Sequence, residues 1–124
     1  MGKEFNKAWG DTGEEIAEVF LENLDYTIVA RKFFFRGGEI DLIAKKDNWL
    51  VFVEVKLKRG DEFGTPEEMV TPYKIRRILK TAQLYMRQNK IDPEKQDWRV
   101  DVIAISFDRN DNRTINHIEN AGYF

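Results

Sequence analysis

The sequence predicts a single α/β domain in which helices pack against one mixed β-sheet. The chain has 124 residues, which is the usual length of one domain. Helical and strand-like patterns follow one another in the order α-β-β-β-α-β, with one more short strand after them. Each of the three prolines stands where such a pattern breaks, and no repeat or linker divides the chain.

The first two elements are an amphipathic helix over residues 12–24 and a strand over residues 27–35. Thr12 and Glu15 fit a capping box at the start of the helix. The apolar residues of the helix recur at helical spacing: Ile16, Val19, Phe20 and Leu24. Residues 27–35 are mostly β-branched or aromatic, which favours a strand.

Two further strands, over residues 39–46 and 49–57, flank the dipeptide Asp47-Asn48. A loop of two such residues between apolar runs is typical of a β-hairpin. Residues 36–38, with the sequence Arg-Gly-Gly, form the turn that precedes the hairpin. The sequence therefore predicts three consecutive strands connected by short turns.

The second half of the chain is predicted to form a helix followed by two strands. Thr71 is the expected N-cap and Pro72 the first helical residue, and Asp92-Pro93 ends the segment. The strands are expected over residues 98–107 and 114–118. The apolar stripe of the helix consists of Ile75, Ile78, Leu79, Ala82 and Met86.

The composition limits the chemistry that the protein can perform. The chain has no cysteine, which excludes a disulfide scaffold, a thiol nucleophile and a zinc or iron–sulfur site built from cysteine. Its one histidine, His117, excludes a histidine-rich metal site and is expected to be an ordinary satisfied or exposed residue. A metal ion would therefore have oxygen ligands.

The longest apolar run, residues 49–53, is too short to span a membrane, and the first residues have no signal-peptide pattern. We therefore expect a cytoplasmic protein without a membrane partner. The net charge of −2 argues against a strongly basic nucleic-acid-binding module. However, residues 11–30 contain six acids and no base, whereas residues 71–90 contain six bases and no acid. Because the charges are segregated in this way, contact with phosphates is not excluded.

The predicted hairpin brings charged residues together. If Asp47-Asn48 is the loop, paired residues have numbers that sum to 95, so Asp41 faces Glu54 and Glu39 faces Lys56. Alternation then puts these four side chains on one face of the sheet, among the apolar residues Ile43, Leu50 and Phe52. The opposite face is predicted to be entirely apolar: Ile40, Leu42, Ala44, Val51, Val53 and Val55.

Two partly buried carboxylates that face each other repel, and a cation between them removes this repulsion. Asp41 and Glu54 offer hard oxygen ligands, which suit Mg²⁺ or Mn²⁺. Lys56 is placed to orient a water molecule or to stabilise charge on a phosphate. The alternative is a buried ladder of ion pairs with only a structural role. Glu39 is either a second ligand or the partner of Lys56.

Asp41 followed by Glu54-Val55-Lys56 resembles the PD-(D/E)xK nuclease signature, with Ile40 in place of the proline. Longer blocks resemble the YraN-like family, whose core is similar to that of Holliday-junction resolvases. These blocks cover nearly the whole chain: Gly13-Glu14 with Ala17 and Leu21, Gly38 to Ile43, Val51 to Lys56, Phe63 to Glu67, Lys74, Ala82 and Arg99 to Val102.

The resemblance implies a restriction-endonuclease-like fold that spans residues 1–124. It also implies that Asp41 and Glu54 bind the metal ion, with the carbonyl of Val55 as a further ligand, and that Lys56 is the catalytic lysine. Related nucleases supply another carboxylate from the first helix, which gives Glu14 a role in the site. Without the resemblance, Glu14 is an ordinary acid near the start of a helix.

The expected function is metal-dependent hydrolysis of phosphodiester bonds in DNA, with branched or flapped DNA as the substrate. The expected phosphate contacts are Arg36, Lys58, Arg59, Lys74 and Arg77. Tyr73 and Phe63 either stack on bases or pack within the protein. A homodimer fits a junction that presents two symmetric strands. The alternatives are a catalytically inactive nucleic-acid-binding module and a protein-interaction adaptor.

Overall fold

The computed structural model of the protein describes the backbone of residues 2–60 and 67–122 and the side chains of residues 12–60, 67–68 and 70–122. The elements confirm the predicted order. They are α1 (Gly2–Asn23), β1 (Thr27–Phe35), β2 (Gly38–Lys46), β3 (Trp49–Arg59), a 3-10 turn (Glu67–Met69), α2 (Pro72–Gln88), β4 (Asp97–Phe107) and β5 (Arg113–Ile118).

The five strands form one mixed sheet in which their spatial order is the same as their order in the chain. β3 and β4 are parallel and are connected through α2, whereas the other three neighbouring pairs are antiparallel. This α/β arrangement, with helices on both faces of a mixed sheet, confirms the predicted fold class and is consistent with a restriction-endonuclease-like core.

Each face of the sheet is covered by one helix. On one face, α2 contributes Ile75, Ile78, Ala82, Tyr85 and Met86 to a core that also contains Ile43 and Phe52. On the other face, α1 contributes Ala17 and Leu21 to a core that also contains Leu42, Val51 and Val53. Burial of this apolar surface on both faces stabilises the three central strands.

The predicted start and orientation of α1 are wrong. The helix begins at Gly2, so Thr12 lies inside it and does not cap it. Residues 2–11 contain no proline, so nothing in that segment interrupts the helix. The face that packs on the sheet runs through Gly13, Ala17 and Leu21, whereas Val19 is 56% exposed.

The start of α2 agrees with the prediction. Thr71 is the N-cap, its side chain accepts a hydrogen bond from the Lys74 backbone N–H at 3.3 Å, and Pro72 is the first helical residue. The helix lies very close to β2 at Gly38, where an added Cβ would be 2.0 Å from the Thr81 hydroxyl oxygen. This glycine therefore permits the close packing of α2 that positions the helix over the sheet.

Within the described residues, neither helix is both long enough and apolar enough to cross a membrane.

Candidate metal centre

The hairpin between β2 and β3 has the predicted register. The pairs run from Lys46 with Trp49 to Leu42 with Val53, and the numbers of each pair sum to 95. Asp47 has a φ of 54°, the left-handed conformation that a two-residue hairpin loop commonly requires. The register therefore brings the end of β2 that contains Asp41 beside the part of β3 that contains Glu54.

Asp41 itself leaves the regular ladder. The Asp41 carboxylate oxygen Oδ2 accepts a hydrogen bond of 2.8 Å from the Val55 backbone N–H. On the other side, the pairing of β1 with β2 passes from Arg31↔Leu42 to Phe33↔Ile40. Lys32, which would face Asp41, has a φ of 51°. The sheet is thus interrupted at Asp41, and a side chain replaces a backbone acceptor there.

This interruption changes which face some residues occupy. Ile40 packs in the same core as Ile43, on the side of α2, although their numbers differ in parity. The prediction that Ile40 lies on the same face as Leu42 is therefore wrong. The predicted alternation assumed a regular strand, and an irregularity at Asp41 shifts the pleat on one side of it.

Three acids from two elements meet at this point. Glu14 on α1 and Glu39 and Asp41 on β2 have carboxylate oxygens that all lie within 4.8 Å of one another. Glu14 reaches the sheet because α1 packs closely on β3, where a Cβ on Gly13 would lie 3.2 Å from Leu57. The structure therefore brings the carboxyl group of Glu14 next to those of Glu39 and Asp41.

Glu54 joins the same group from β3, because it lies close enough to Asp41 for the charge of Asp41 to raise the pKa of Glu54. Its side chain is 15% exposed, and Asp41 is 8% exposed. We use the term acid cluster for Glu14, Glu39, Asp41 and Glu54. All four were predicted, and the structure places all four together.

The acid cluster has an excess of negative charge. Burial and the charge of Asp41 raise the pKa of Glu14 from 4.5 to about 7. The same causes raise the pKa of Glu54 to about 7, against the opposing charge of Lys56, and they also raise the pKa of Glu39. At neutral pH the cluster therefore retains protons that a bound cation would displace.

Lysines lie around the acid cluster. Lys56 Nζ is 3.6 Å from Glu54 Oε2, and Lys32 Nζ is 4.0 Å from Glu14 Oε1. The positive charge of Lys56, aided by partial burial, lowers the pKa of Lys74, which places the first turn of α2 beside Lys56. The sequence contained no specific signal for the position of Lys32, because a left-handed residue other than glycine within a strand has no sequence pattern.

The other predicted phosphate contacts form two pairs, one at the turn between β1 and β2 and one at the end of β3. Arg77 donates a hydrogen bond to the Gly37 carbonyl oxygen, and the Arg36 guanidinium lies 5.3 Å from the centre of the Phe35 ring. Arg59 donates to Asp111 Oδ1 at 2.8 Å. Lys58 is half-buried in β3, where it pairs with Ser106 of β4. Phe63, a predicted stacking residue, lies outside the described residues.

A family model described as "Uncharacterised protein family UPF0102" matches residues 13–105 of this chain. The chain belongs to this family. The UPF0102 protein of Geobacter sulfurreducens is 43% identical over 121 residues, which cover 97% of this chain and 92% of that protein. The UPF0102 protein of Vibrio campbellii is 38% identical, and the alignment covers 98% of this chain and 97% of that protein.

The match confirms the resemblance to the YraN-like family, since that family is UPF0102. The UPF0102 segment of the chain, residues 13–105, contains the whole acid cluster and Lys56. It ends within β4, before β5 begins at Arg113.

A second polar cluster of this UPF0102 protein lies beneath the C-terminal half of α1. Asp101 is fully buried and accepts a hydrogen bond of 2.9 Å from Arg99 Nε and another from the Asn120 backbone N–H. His117 Nε2 lies 2.7 Å from Asp101 Oδ2. This confirms the predicted structural contact between Asp101 and Arg99, and it satisfies His117.

Proposed function

We propose that this protein is a metal-dependent nuclease that hydrolyses phosphodiester bonds in DNA. The observation that carries the proposal is the convergence of four carboxyl groups from α1, β2 and β3 beside Lys56. The pKa values of Glu14 and Glu54 are raised to about 7. Without a bound cation, the folded protein therefore does not fully ionise all four carboxyl groups at neutral pH. Such groups cluster at functional sites.

The donor set fits Mg²⁺ or Mn²⁺. All the ligand atoms that the acid cluster offers are carboxylate oxygens, which such hard cations prefer. Asp41 and Glu54 would hold the ion with the carbonyl of Val55, and Glu14 and Glu39 would bind the ion or its water molecules. A bound Mg²⁺ or Mn²⁺ supplies positive charge that polarises the phosphoryl group and favours ionisation of the attacking water.

The residues of the chain itself orient the reaction. The hydrogen bond from the Val55 N–H fixes one oxygen of Asp41, so the other oxygen is left in a defined direction. Lys56 Nζ, 3.6 Å from Glu54, is held where its N–H groups can bind a water molecule and an oxygen of the phosphate. The ammonium also offsets the charge that develops on the phosphate oxygens in the transition state.

Cleavage of a panel of branched, nicked and single-stranded DNAs in Mn²⁺ tests the proposal. We expect cleavage by the wild type that requires the divalent ion. Glu54→Gln and Lys56→Ala should each lower the rate by at least about 100-fold, a typical effect of removing a group that stabilises transition-state charge. Glu15→Gln is the matched control, because Glu15 is adjacent to Glu14 but is exposed on α1.

Equal cleavage by the wild type and Asp41→Ala would contradict the proposal. Calorimetric titration with Mn²⁺ then separates the alternatives. DNA binding without Mn²⁺ binding, or Mn²⁺ binding unaffected by Glu54→Gln, would instead favour an inactive nucleic-acid-binding module. Absence of DNA binding at any salt concentration would favour a protein-interaction adaptor.

A further inference from the structure

Tyr73 is a large aromatic residue on the first turn of α2, and it is 60% exposed. It belongs to neither of the two hydrophobic cores of the described residues. The sequence left open whether this ring packs within the protein or stacks on a base. Because the residue is 60% exposed and lies outside both cores, packing within the protein does not account for it.

The Tyr73 ring is held in a defined position. The Arg77 guanidinium carbon lies over the ring, 5.8 Å from its centre, and Arg77 also donates a hydrogen bond to the Gly37 carbonyl oxygen. The Thr71 cap fixes the same helical turn through the Lys74 backbone N–H. The guanidinium therefore lies beside the ring, and the residue is exposed enough for a planar partner to reach it.

The ring also lies near the strand that carries Glu39 and Asp41. Arg77, whose guanidinium carbon is 5.8 Å from the ring centre, donates a hydrogen bond to the Gly37 carbonyl oxygen, two residues before Glu39 of the acid cluster. Lys74, the residue after Tyr73, lies close enough to Lys56 for the charge of Lys56 to lower the pKa of Lys74. The first turn of α2, which carries the ring, is therefore next to the acid cluster.

The charge of this surface determines the class of its partner. Residues 71–90 contain six bases and no acid. A nucleic acid fits this combination of charge and aromatic surface. Its phosphates can contact the basic side chains of α2, and one of its bases can stack on the ring of Tyr73. A paired base within a duplex has both faces covered by its neighbours, so only an unpaired base can stack on Tyr73.

We propose that Tyr73 stacks on an unpaired base next to the cleaved phosphate, so that the substrates are DNAs with a single-stranded segment at the cleavage point. This inference rests on the proposed nuclease function for the position of the cleaved phosphate. Arg77 acts as a positioning residue that holds the ring.

Binding without cleavage is the first test. We would measure the affinity of the protein for a short single strand that contains 2-aminopurine, and for a blunt duplex, with Ca²⁺ in place of Mn²⁺. Tyr73→Ala should weaken binding of the single strand about tenfold or more, as loss of one stacking contact does, and leave duplex binding unchanged. Tyr73→Phe, which keeps the ring, should bind like the wild type.

Trp49→Ala is the matched control. Trp49 is also an exposed aromatic beneath a guanidinium, with Arg99 at 5.3 Å from the ring centre, and it is 39% exposed. It lies at the opposite end of β3 from Lys56, about 23 Å away for seven residues of strand. We expect this variant to retain the wild-type affinity for the single strand.

Three results would overturn the inference: unchanged single-strand affinity in Tyr73→Ala, an equal loss in Tyr73→Phe, or an equal loss for the duplex. A second experiment compares Mn²⁺-dependent cleavage of a flapped and a blunt DNA, and we expect at least a tenfold preference for the flap that Tyr73→Ala removes. Tyr73-dependent binding without any cleavage would support the stacking contact and contradict the proposed nuclease function.

Discussion

Asp41 is the residue on which the other groups of the acid cluster depend. Its carboxylate accepts the Val55 N–H at 2.8 Å, and its charge is, after burial, the largest cause of the raised pKa values of Glu14, Glu39 and Glu54. Burial leaves little water to separate these charges. The protonation of each glutamate therefore depends first on burial and then on a residue that the backbone of β3 holds in place.

The affinity of the acid cluster for a metal ion should depend on pH. A divalent ion must displace the protons on Glu14 and Glu54, whose pKa values are about 7. We therefore expect Mn²⁺ affinity to rise from pH 5 to pH 7, by about tenfold per pH unit for each proton released, and to change little above pH 8. Calorimetry in buffers of different ionisation enthalpy measures the protons released, and absence of release at pH 6 would contradict the prediction.

Without a bound metal ion, the stability of the protein should also depend on pH through Glu54. The folded state holds the Glu54 proton more tightly than the unfolded chain, since its pKa is raised from 4.5 to about 7. Stability is therefore lost as the pH rises between these values. In the presence of a metal chelator, Glu54→Gln should have a higher Tm than the wild type at pH 8. This difference in Tm should become smaller towards pH 5.

Thermal unfolding at both pH values measures this difference, and Glu15→Gln is the control that should not change the Tm. Added Mn²⁺ should raise the Tm of the wild type and not that of Glu54→Gln. The prediction would be contradicted if Glu54→Gln were less stable than the wild type at pH 8. Other groups of the protein would then stabilise the ionised carboxylate of Glu54 without a metal ion.

The contact between α2 and β2 at Gly38 is so close that one added methyl group should lower the stability of the protein. A Cβ there would be 2.0 Å from the Thr81 hydroxyl oxygen and 3.2 Å from Thr81 Cβ. We expect Gly38→Ala to lower the free energy of unfolding by ~1–3 kcal/mol, the usual cost of overpacking. The cost should be smaller when residue 81 is also alanine.

Urea denaturation of the two single variants and the double variant measures this coupling. Thr81→Ala alone should cost only about 0.5–1.5 kcal/mol, because its hydroxyl donates one hydrogen bond to the Arg77 carbonyl oxygen. If the loss in the free energy of unfolding in the double variant equals the sum of the losses in the two single variants, the prediction is contradicted. The helix would then have moved away from the strand, and the added methyl group would not meet Thr81.

The elements themselves were largely predictable, because β-branched runs, a proline at N1 and a two-residue hairpin loop are local signals. The hairpin register was predictable for the same reason. The packing face of α1 was not, because Gly13 and Ala17 are buried by close approach to the sheet and not by their own apolar area. The irregularity at Lys32 and Asp41 depends on contacts with α1 and β3, which no local pattern encodes.

At the scale of the whole molecule, the near-zero net charge conceals a division between two sides of the sheet. α1 packs on one face and α2 on the other, and the acid-rich and base-rich segments of the chain lie on these helices. The base-rich side includes Lys74, which lies beside the acid cluster. A phosphate chain therefore meets a more favourable potential on the side of α2 than along residues 12–23 of α1.

This division predicts how DNA binding depends on salt. We expect the affinity for single-stranded DNA to fall as salt rises, because bound cations are released from the phosphates. Lys74→Gln and Arg77→Gln should each reduce the slope of log affinity against log salt by roughly 0.7. Lys95→Gln, an exposed lysine in the turn before β4, should leave the slope unchanged; a slope that is equal in all variants would place the DNA elsewhere.

The left-handed residue in β1 has a consequence for association between molecules. β1 is an outer strand of the sheet, and Val29 and Phe34 on it are 43% and 64% exposed. A regular apolar edge of this kind invites another strand to pair with it. The bulge near Val29 and the φ of 51° at Lys32 break the row of backbone donors and acceptors along that edge. The distortion beside Asp41 thereby also makes the outer strand a poorer template for pairing with a strand of another molecule.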